Sequence, residues 1–311
     1  MAIQFISSLF IHLILPLFFL GWLAFAKVPY ASLKLAVSAL FGMYLLVLAR
    51  AGSWHVFGSY WNAVFGVCYL IALIVVLVNL DKTQFLPSHG FSGWFNLAVV
   101  VAVLVVTLFW RIPNIYGSRT YPHPPVVLEF PLRKGNYSVV QGGSSVELNH
   151  HFSNRAQKYA LDIVMTGAFG LRADALLPSS LEQYHIYDQA VYAPCTGKVL
   201  GVENTLQDWT PPEKEPDNPV GNYVIVLCQG NSILLSHFRQ GSITVSSGQQ
   251  IKAGDLLGHV GNSGNSSEPH LHIHAVKGVV SSLDAMIQTS EGLPILFDSR
   301  FLIRNDRISI S

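Results

Sequence analysis

The stretch Pro269-His270-Leu271-His272-Ile273-His274-Ala275 decides how the second half of this chain is read. Successive side chains of a β-strand point to opposite faces, so His270, His272 and His274 share one face while Leu271, Ile273 and Ala275 share the other. The apolar positions anchor the strand in a core and the imidazoles converge on a more open surface. Short β-type runs extend in both directions from this strand: 137–141, 160–165, 190–192, 198–202, 223–227, 233–236, 243–245 and 256–260, separated by Gly, Asn, Ser and Pro. The spacing predicts a mainly β domain large enough for one core. The segment 208–219, with its four prolines, reads as a surface loop.

The first half is built for a different solvent. Of the 311 residues 50% are hydrophobic and only 12% charged, an unusual balance for a water-soluble protein. Up to Ile112 the only charged residues are Lys27, Lys34, Arg50, Lys82, Arg111 and Asp81; the rest of the chain has an acidic excess and no basic run that would mark a nucleic-acid surface. Apolar stretches at 5–26, 33–49, 57–80 and 94–110 are each close to the length that spans a bilayer, and Trp22, Trp54, Trp61, Trp94 and Trp110 sit near their ends. We read an N-terminal bundle of four transmembrane α-helices at 1–112, a linker at 113–130 and a globular domain at 131–311. Ala24-Phe25-Ala26 resembles a signal-peptidase site, yet no Lys or Arg precedes the first apolar run, which favours a retained helix. The loop charges orient the helices only weakly: Lys27, Lys34 and Lys82 put both termini outside, whereas Arg111 and Arg119 argue for the reverse.

Two further groups of residues join the histidine strand. His150 and His151 precede the run that carries Asp162, and His237 follows the apolar triplet Ile233-Leu234-Leu235. A lone histidine is more often a surface or hydrogen-bonded core residue than a ligand, and His12, His55, His89, His123, His185 and His259 are read that way. Asp162 and His237, from distant segments with strand-like flanks, raise the cluster above that reading. Two imidazoles, one carboxylate and an open water position make a recurrent catalytic zinc arrangement. Cys195 and Cys228 adjoin two strands that would bring them opposite each other if paired antiparallel; a disulfide and two buried thiols both fit.

The runs Asn222-Tyr223-Val224-Ile225-Val226, Ser236-His237-Phe238, Gly248-Gln249-Gln250-Ile251-Lys252-Ala253-Gly254-Asp255, Gly258-His259-Val260-Gly261-Asn262-Ser263-Gly264 and Pro269-His270-Leu271-His272 resemble, in order, the lysostaphin-type (LytM-like) zinc metallopeptidases. The likeness covers about 149–275. It implies the lysostaphin-type β-fold, lipoyl-like with a duplicated hybrid motif, and zinc bound by Asp162, His272 and a third ligand, with His237 and His270 as catalytic histidines. The family's usual first motif has a histidine four residues before the aspartate, where this chain has Lys158. His150 and His151 are the alternatives, and the Asn-x-His start of some members favours His151. His274, one step further along the strand, is expected behind the ligands or at the rim of the site rather than as a ligand.

The resemblance further implies a zinc metalloendopeptidase acting on peptide crosslinks of bacterial peptidoglycan, here multi-pass in the inner (cytoplasmic) membrane with the peptidase domain extracytoplasmic. The segment 166–189 is expected to wall the substrate groove. Two other classes stay open. The departure at Lys158 leaves room for an inactive binding or activator module, and the Gly-Gln-Gln-Ile-Lys-Ala-Gly-Asp turn also occurs in group-carrier domains of related fold, which have no need of Asp162 and His272 together.

Overall fold

The computed structural model describes residues 2–28, 30–80, 84–87, 91–280 and 282–311. Asp81, Lys82 and His89 lie outside the described residues. The chain divides into two compact units, Met1–Ser53 with Ser59–Tyr116, and Trp54–Gly58 with Gly117–Ser311.

The first unit contains four helices long and apolar enough to cross a membrane: Phe5–Phe25, Ala31–Ala51, Trp61–Val78 and Phe91–Gly117. Leu23, Phe41, Ala72 and Val76 form its buried centre, while Phe18, Ile71, Val78 and Phe109 face outward. Tyr69 seats its ring against Gly42, where a Cβ would clash, and donates its hydroxyl to the Ser38 carbonyl at 2.9 Å. The last helix runs beyond position 110, into the stretch read as a linker. Thr107–Arg111 form a wide π-turn just ahead of Pro113, whose missing N–H is tolerated in the first turn of the segment Ile112–Gly117. The same device recurs near the start of the chain, where the π-turn Phe10–Ile14 precedes Pro16.

The second unit is mainly β. Its strands are β1 (Val126–Leu128), β2 (Gly135–Gln141), β3 (Leu161–Met165), β4 (Ala190–Tyr192), β5 (Gly197–Glu203), β6 (Asn222–Cys228) and β7 (Asn231–Phe238). They continue with β8 (Gln250–Ile251), β9 (Leu256–His259), β10 (Leu271–Val276), β11 (Gly292–Leu293), β12 (Ile295–Phe297), β13 (Arg300–Phe301) and β14 (Arg307–Ile310). The main sheet has the order β14-β2-β3-β10-β7-β6-β5-β8, with β11 paired to β10. Two small sheets, β1-β12-β13 and β4-β9, accompany it. β1 thus gives part of the expected linker a structure, since its main chain pairs with β12 from Val126 to Leu128.

Alternation along the central strands sets the two faces of the main sheet. Leu161 and Ile163 of β3, Leu271, Ile273 and Ala275 of β10, and Ile233 and Leu235 of β7 enter one large core with Val139, Val224 and Leu257. The opposite face is divided along its length. At one end Leu234 and Val276 pack under Met286 of the short helix Leu283–Gln288; at the other lie Asp162, Ser236, His272 and His274, all buried. Cys195 and Cys228 form a disulfide with Cα atoms 5.9 Å apart, at the end of the antiparallel β5–β6 pair.

Candidate metal centre

Asp162 is the hub of the site. In the antiparallel β3–β10 pair it lies directly opposite His272, and His272 lies opposite Ser236 of β7. Side chains so placed are in contact range. The Nδ1 of His272 is 2.8 Å from Asp162 Oδ1. Next to Asp162, β2 is irregular between Val139 and Gln141, which disrupts the ladder at that edge of the site.

His151 reaches the same carboxylate from a single 3-10 turn, His150–Ser153. Asn149, fully buried, caps this turn: its Oδ1 accepts the His151 N–H at 3.1 Å, and its Nδ2 donates to the carbonyls of Gly143, Ala160 and Lys158 at 3.1, 3.1 and 3.4 Å. The His151 Nε2 lies 3.1 and 3.0 Å from the two oxygens of Asp162. His150 stacks on His151 with ring centres 3.9 Å apart, and its ligand atom lies within 4.8 Å of those of His151 and Asp162, although its side chain is exposed. Lys158, at the position of the family's usual histidine, turns its ammonium over the Phe152 ring, 4.8 Å from the centroid.

His237 and His270 form the other flank, with ring centres 4.7 Å apart. His237 is the extra residue of a bulge in β7, where Tyr223 pairs with Ser236 and Asn222 with Phe238. Its φ of 64° is unusual for a residue with a side chain and redirects the imidazole out of the strand's alternation. Its Nδ1–H donates to the Ser263 carbonyl at 2.8 Å. The next residue, Gly264, has φ +81° and touches the backbone of Gly221, so only glycine fits the turn that aims this carbonyl. The His270 Nδ1–H donates to the Glu268 carbonyl at 2.8 Å, leaving Nε2 3.6 Å from Asp162 Oδ1.

Burial and neighbouring charges set the protonation states. Burial alone would raise the Asp162 pKa, but His151, His270 and the hydrogen bonds from His151 and His272 outweigh it and hold the carboxyl well below its usual range. For His151 burial acts downward and is overcome by Asp162, so the net displacement is upward. His272 is pushed down to about 4 by burial, against the pull of Asp162. Burial, then the cationic forms of neighbouring histidines, keep His237 and His274 well below the usual imidazole value. Near pH 7 the buried rings are therefore neutral, the form in which an imidazole can offer a lone pair to a metal or accept a proton. Three imidazole nitrogens converge on one ionised carboxylate, and His151, Asp162 and His272 present the N,N,O donor set that suits zinc.

The structure brings His151, Asp162, His237, His270 and His272 together. His274 supports rather than lines the site: its Nδ1 lies 2.9 Å from His272 Nε2, the nitrogen on the side of the ring away from Asp162. Sequence reading missed four contributors. Asn149 was visible as a residue of capping type. The Ser263 and Glu268 carbonyls act through main chain and carry no residue signature. Arg304, half-buried and lowered to about 10 by burial against the opposing field of Asp162, comes from beyond the matching motifs.

Together the fold and this cluster define a mainly β domain with a candidate metal centre of histidines gathered on one aspartate. Residues 184–283 match the model of Peptidase family M23, a span that includes His237, His270 and His272 but begins after His151 and Asp162. Part of the globular unit, residues 184–283, is thus similar to the M23 peptidases. Among solved structures, one described as a peptidase M23 from Pseudomonas aeruginosa is 20% identical, covering 51% of this chain and 50% of its own, with a TM-score of 0.29. A zinc-containing peptidase from Vibrio cholerae is 18% identical over 50% of this chain and 39% of its own, TM-score 0.31. The catalytic domain of the antimicrobial peptidase lysostaphin from Staphylococcus simulans is 21% identical over 35% of this chain and 76% of its own, TM-score 0.25. This chain thus spans half or less of the first two proteins.

Proposed function

We propose that the chain is a zinc metalloendopeptidase held at a membrane by its four apolar helices, cleaving peptide crosslinks of bacterial peptidoglycan from the extracytoplasmic side. The observation that carries this reading is the convergence of His151 and His272 on Asp162, beside two histidines whose Nδ1 atoms are committed to main-chain carbonyls.

His151, Asp162 and His272 are the residues that would hold zinc, which would supply Lewis acidity toward water and a peptide carbonyl. The protein's own contribution is proton management. With Nδ1–H tied to Ser263, the neutral His237 ring keeps its Nε2 lone pair for the site and is suited to accept the proton of the attacking water. His270, with Nδ1–H tied to Glu268, turns Nε2 toward the site, where that nitrogen can take up a proton and pass it to the leaving amine. The outward-facing Phe18, Ile71, Val78 and Phe109 of the helical unit favour lipid over water as its surroundings.

A peptidase-like binding or activator module is the second reading, favoured by Lys158 where the usual ligand would stand. His151 takes over that role in the reading adopted here. Incubating the full chain in detergent with purified peptidoglycan distinguishes the two. Release of peptide amines that stops with a chelator and returns with zinc is expected. Bound zinc without release would establish the binding module, and absence of both would end the metallopeptidase reading.

A further inference from the structure

Behind His270 lies a buried charged group that the proposed chemistry does not use. Arg172, 8% exposed, donates its Nε–H to Glu268 Oε2 at 2.5 Å. The His55 Nε2 stands 3.6 Å from the other oxygen of the same carboxylate, and the His55 carbonyl accepts the Arg172 main-chain N–H at 2.9 Å. His55 belongs to the four-residue helix Trp54–Phe57, which lies in sequence between the second and third apolar helices yet belongs to the β unit. Trp54 and Phe57 are buried.

The main chain of Glu268 faces the other way. Its carbonyl accepts both the His270 Nδ1–H and the Ser266 hydroxyl, each at 2.8 Å. Pro269 follows it and restricts the backbone of Glu268, so the direction of this carbonyl and the anchoring of its side chain are coupled. A buried Arg–carboxylate pair is a costly way to gain stability, and apolar side chains of similar volume often serve as well. Its place here, two residues from a histidine whose tautomer it can fix, gives it a different use.

We infer that Arg172, Glu268 and the segment Trp54–Gly58 position His270, making the loop between two apolar helices an integral part of the catalytic domain. The inference rests on the metallopeptidase reading only in calling His270 catalytic. Glu268 and Arg172 are positioning residues: they hold the carbonyl that keeps the His270 proton on Nδ1 and its Nε2 toward the site.

The test uses the full chain in detergent with zinc, comparing wild type, Glu268→Ala and the conservative Glu268→Asp. Glu268→Ala is expected to lower kcat about 10- to 100-fold with KM changed less than about twofold and zinc content retained, and Glu268→Asp to recover most of the loss. In 15N NMR of histidine-labelled protein, with His270 assigned against His270→Gln, the wild-type ring is expected as the Nδ1–H tautomer and the Glu268→Ala ring as a tautomer mixture. An unchanged His270 signal in Glu268→Ala overturns the inference, as does a loss of activity that merely follows loss of zinc. Should Glu268→Ala fail to fold, Arg172→Lys, which keeps the charge but not the Nε donor, reads the same quantities. Because the ring signal needs no turnover, a chain that binds zinc and cuts nothing refutes the proposed function while the NMR result still decides the positioning.

Discussion

At the scale of single residues, the site depends on which atom of each histidine is already committed. His150 and His151 are neighbours in a stacked pair, yet only His151 is held by the Asn149 cap and touches Asp162. His151→Ala is therefore expected to lose zinc and His150→Ala to retain it, checked by metal content per chain after dialysis; the reverse order would make His150 the ligand. The buried rings also make the zinc-free protein acid-sensitive. A histidine whose pKa falls on folding contributes stability above its unfolded value of about 6.5, and that contribution is lost as pH drops because the unfolded chain takes up the proton. His237, His272 and His274 are of this kind. His151 is displaced upward and acts in the opposite sense, its contribution being complete below about pH 6.5 and lost as pH rises through its folded pKa. Asp162, displaced downward, contributes above about pH 3.9 and loses that contribution only as pH falls through its low folded value. The rings of His237, His272 and His274, joined by His150, which burial also lowers, outweigh His151 and predict a melting temperature that falls between about pH 6.5 and 4 in the zinc-free chain, and a flat profile there would contradict the neutral buried state.

At the scale of elements, a capped turn, a bulge and an antiparallel register place the candidate site residues His151, His237, Asp162 and His272. The cap is the simplest to remove. Asn149→Ala leaves the carbonyls of Gly143 and Ala160 and the His151 N–H without their partner, and is expected to cost about 2 to 3 kcal/mol and to weaken zinc binding, read by chemical denaturation and metal titration. Unchanged zinc affinity would mean that His151 is held by something else. The strand β10 was legible in sequence because its period of two is written in both residue types, whereas the Cys195–Cys228 pairing was left open between a bond and two thiols, which the structure decides for the disulfide. The opposition of Asp162 and His272 was not, since register is fixed by pairing partners far apart in sequence. Nor was the bulge at His237, a left-handed conformation without a glycine to announce it. The run 243–245 reads as a strand yet is irregular: the N–H and hydroxyl of Thr244 bond to Leu257 and Leu256 at one crossing rather than along a ladder. The fourth apolar stretch ends at 110 by composition, whereas the helix continues through a π-turn past Pro113.

At the scale of the whole molecule, two units of different composition share one chain, and the boundary is not a single cut because Trp54–Gly58 belongs with the β unit. His12, the one histidine well inside the apolar stretches, is satisfied within the helical unit: its Nδ1–H donates to the Ser8 carbonyl and its Nε2 accepts the Ser53 N–H, both at 2.8 Å, as the structural reading of a lone histidine expects. The chemistry is thus assigned to the β unit, and the central claim is a division of labour between ligands and proton carriers. The most direct test is zinc content and peptide cleavage measured together on the full chain, on His270→Ala and on His272→Ala. The account predicts that His270→Ala keeps about one zinc per chain while cleavage falls by about 100- to 10,000-fold, and that His272→Ala loses both. Equal zinc loss in the two variants, or zinc retained by His272→Ala, would contradict it.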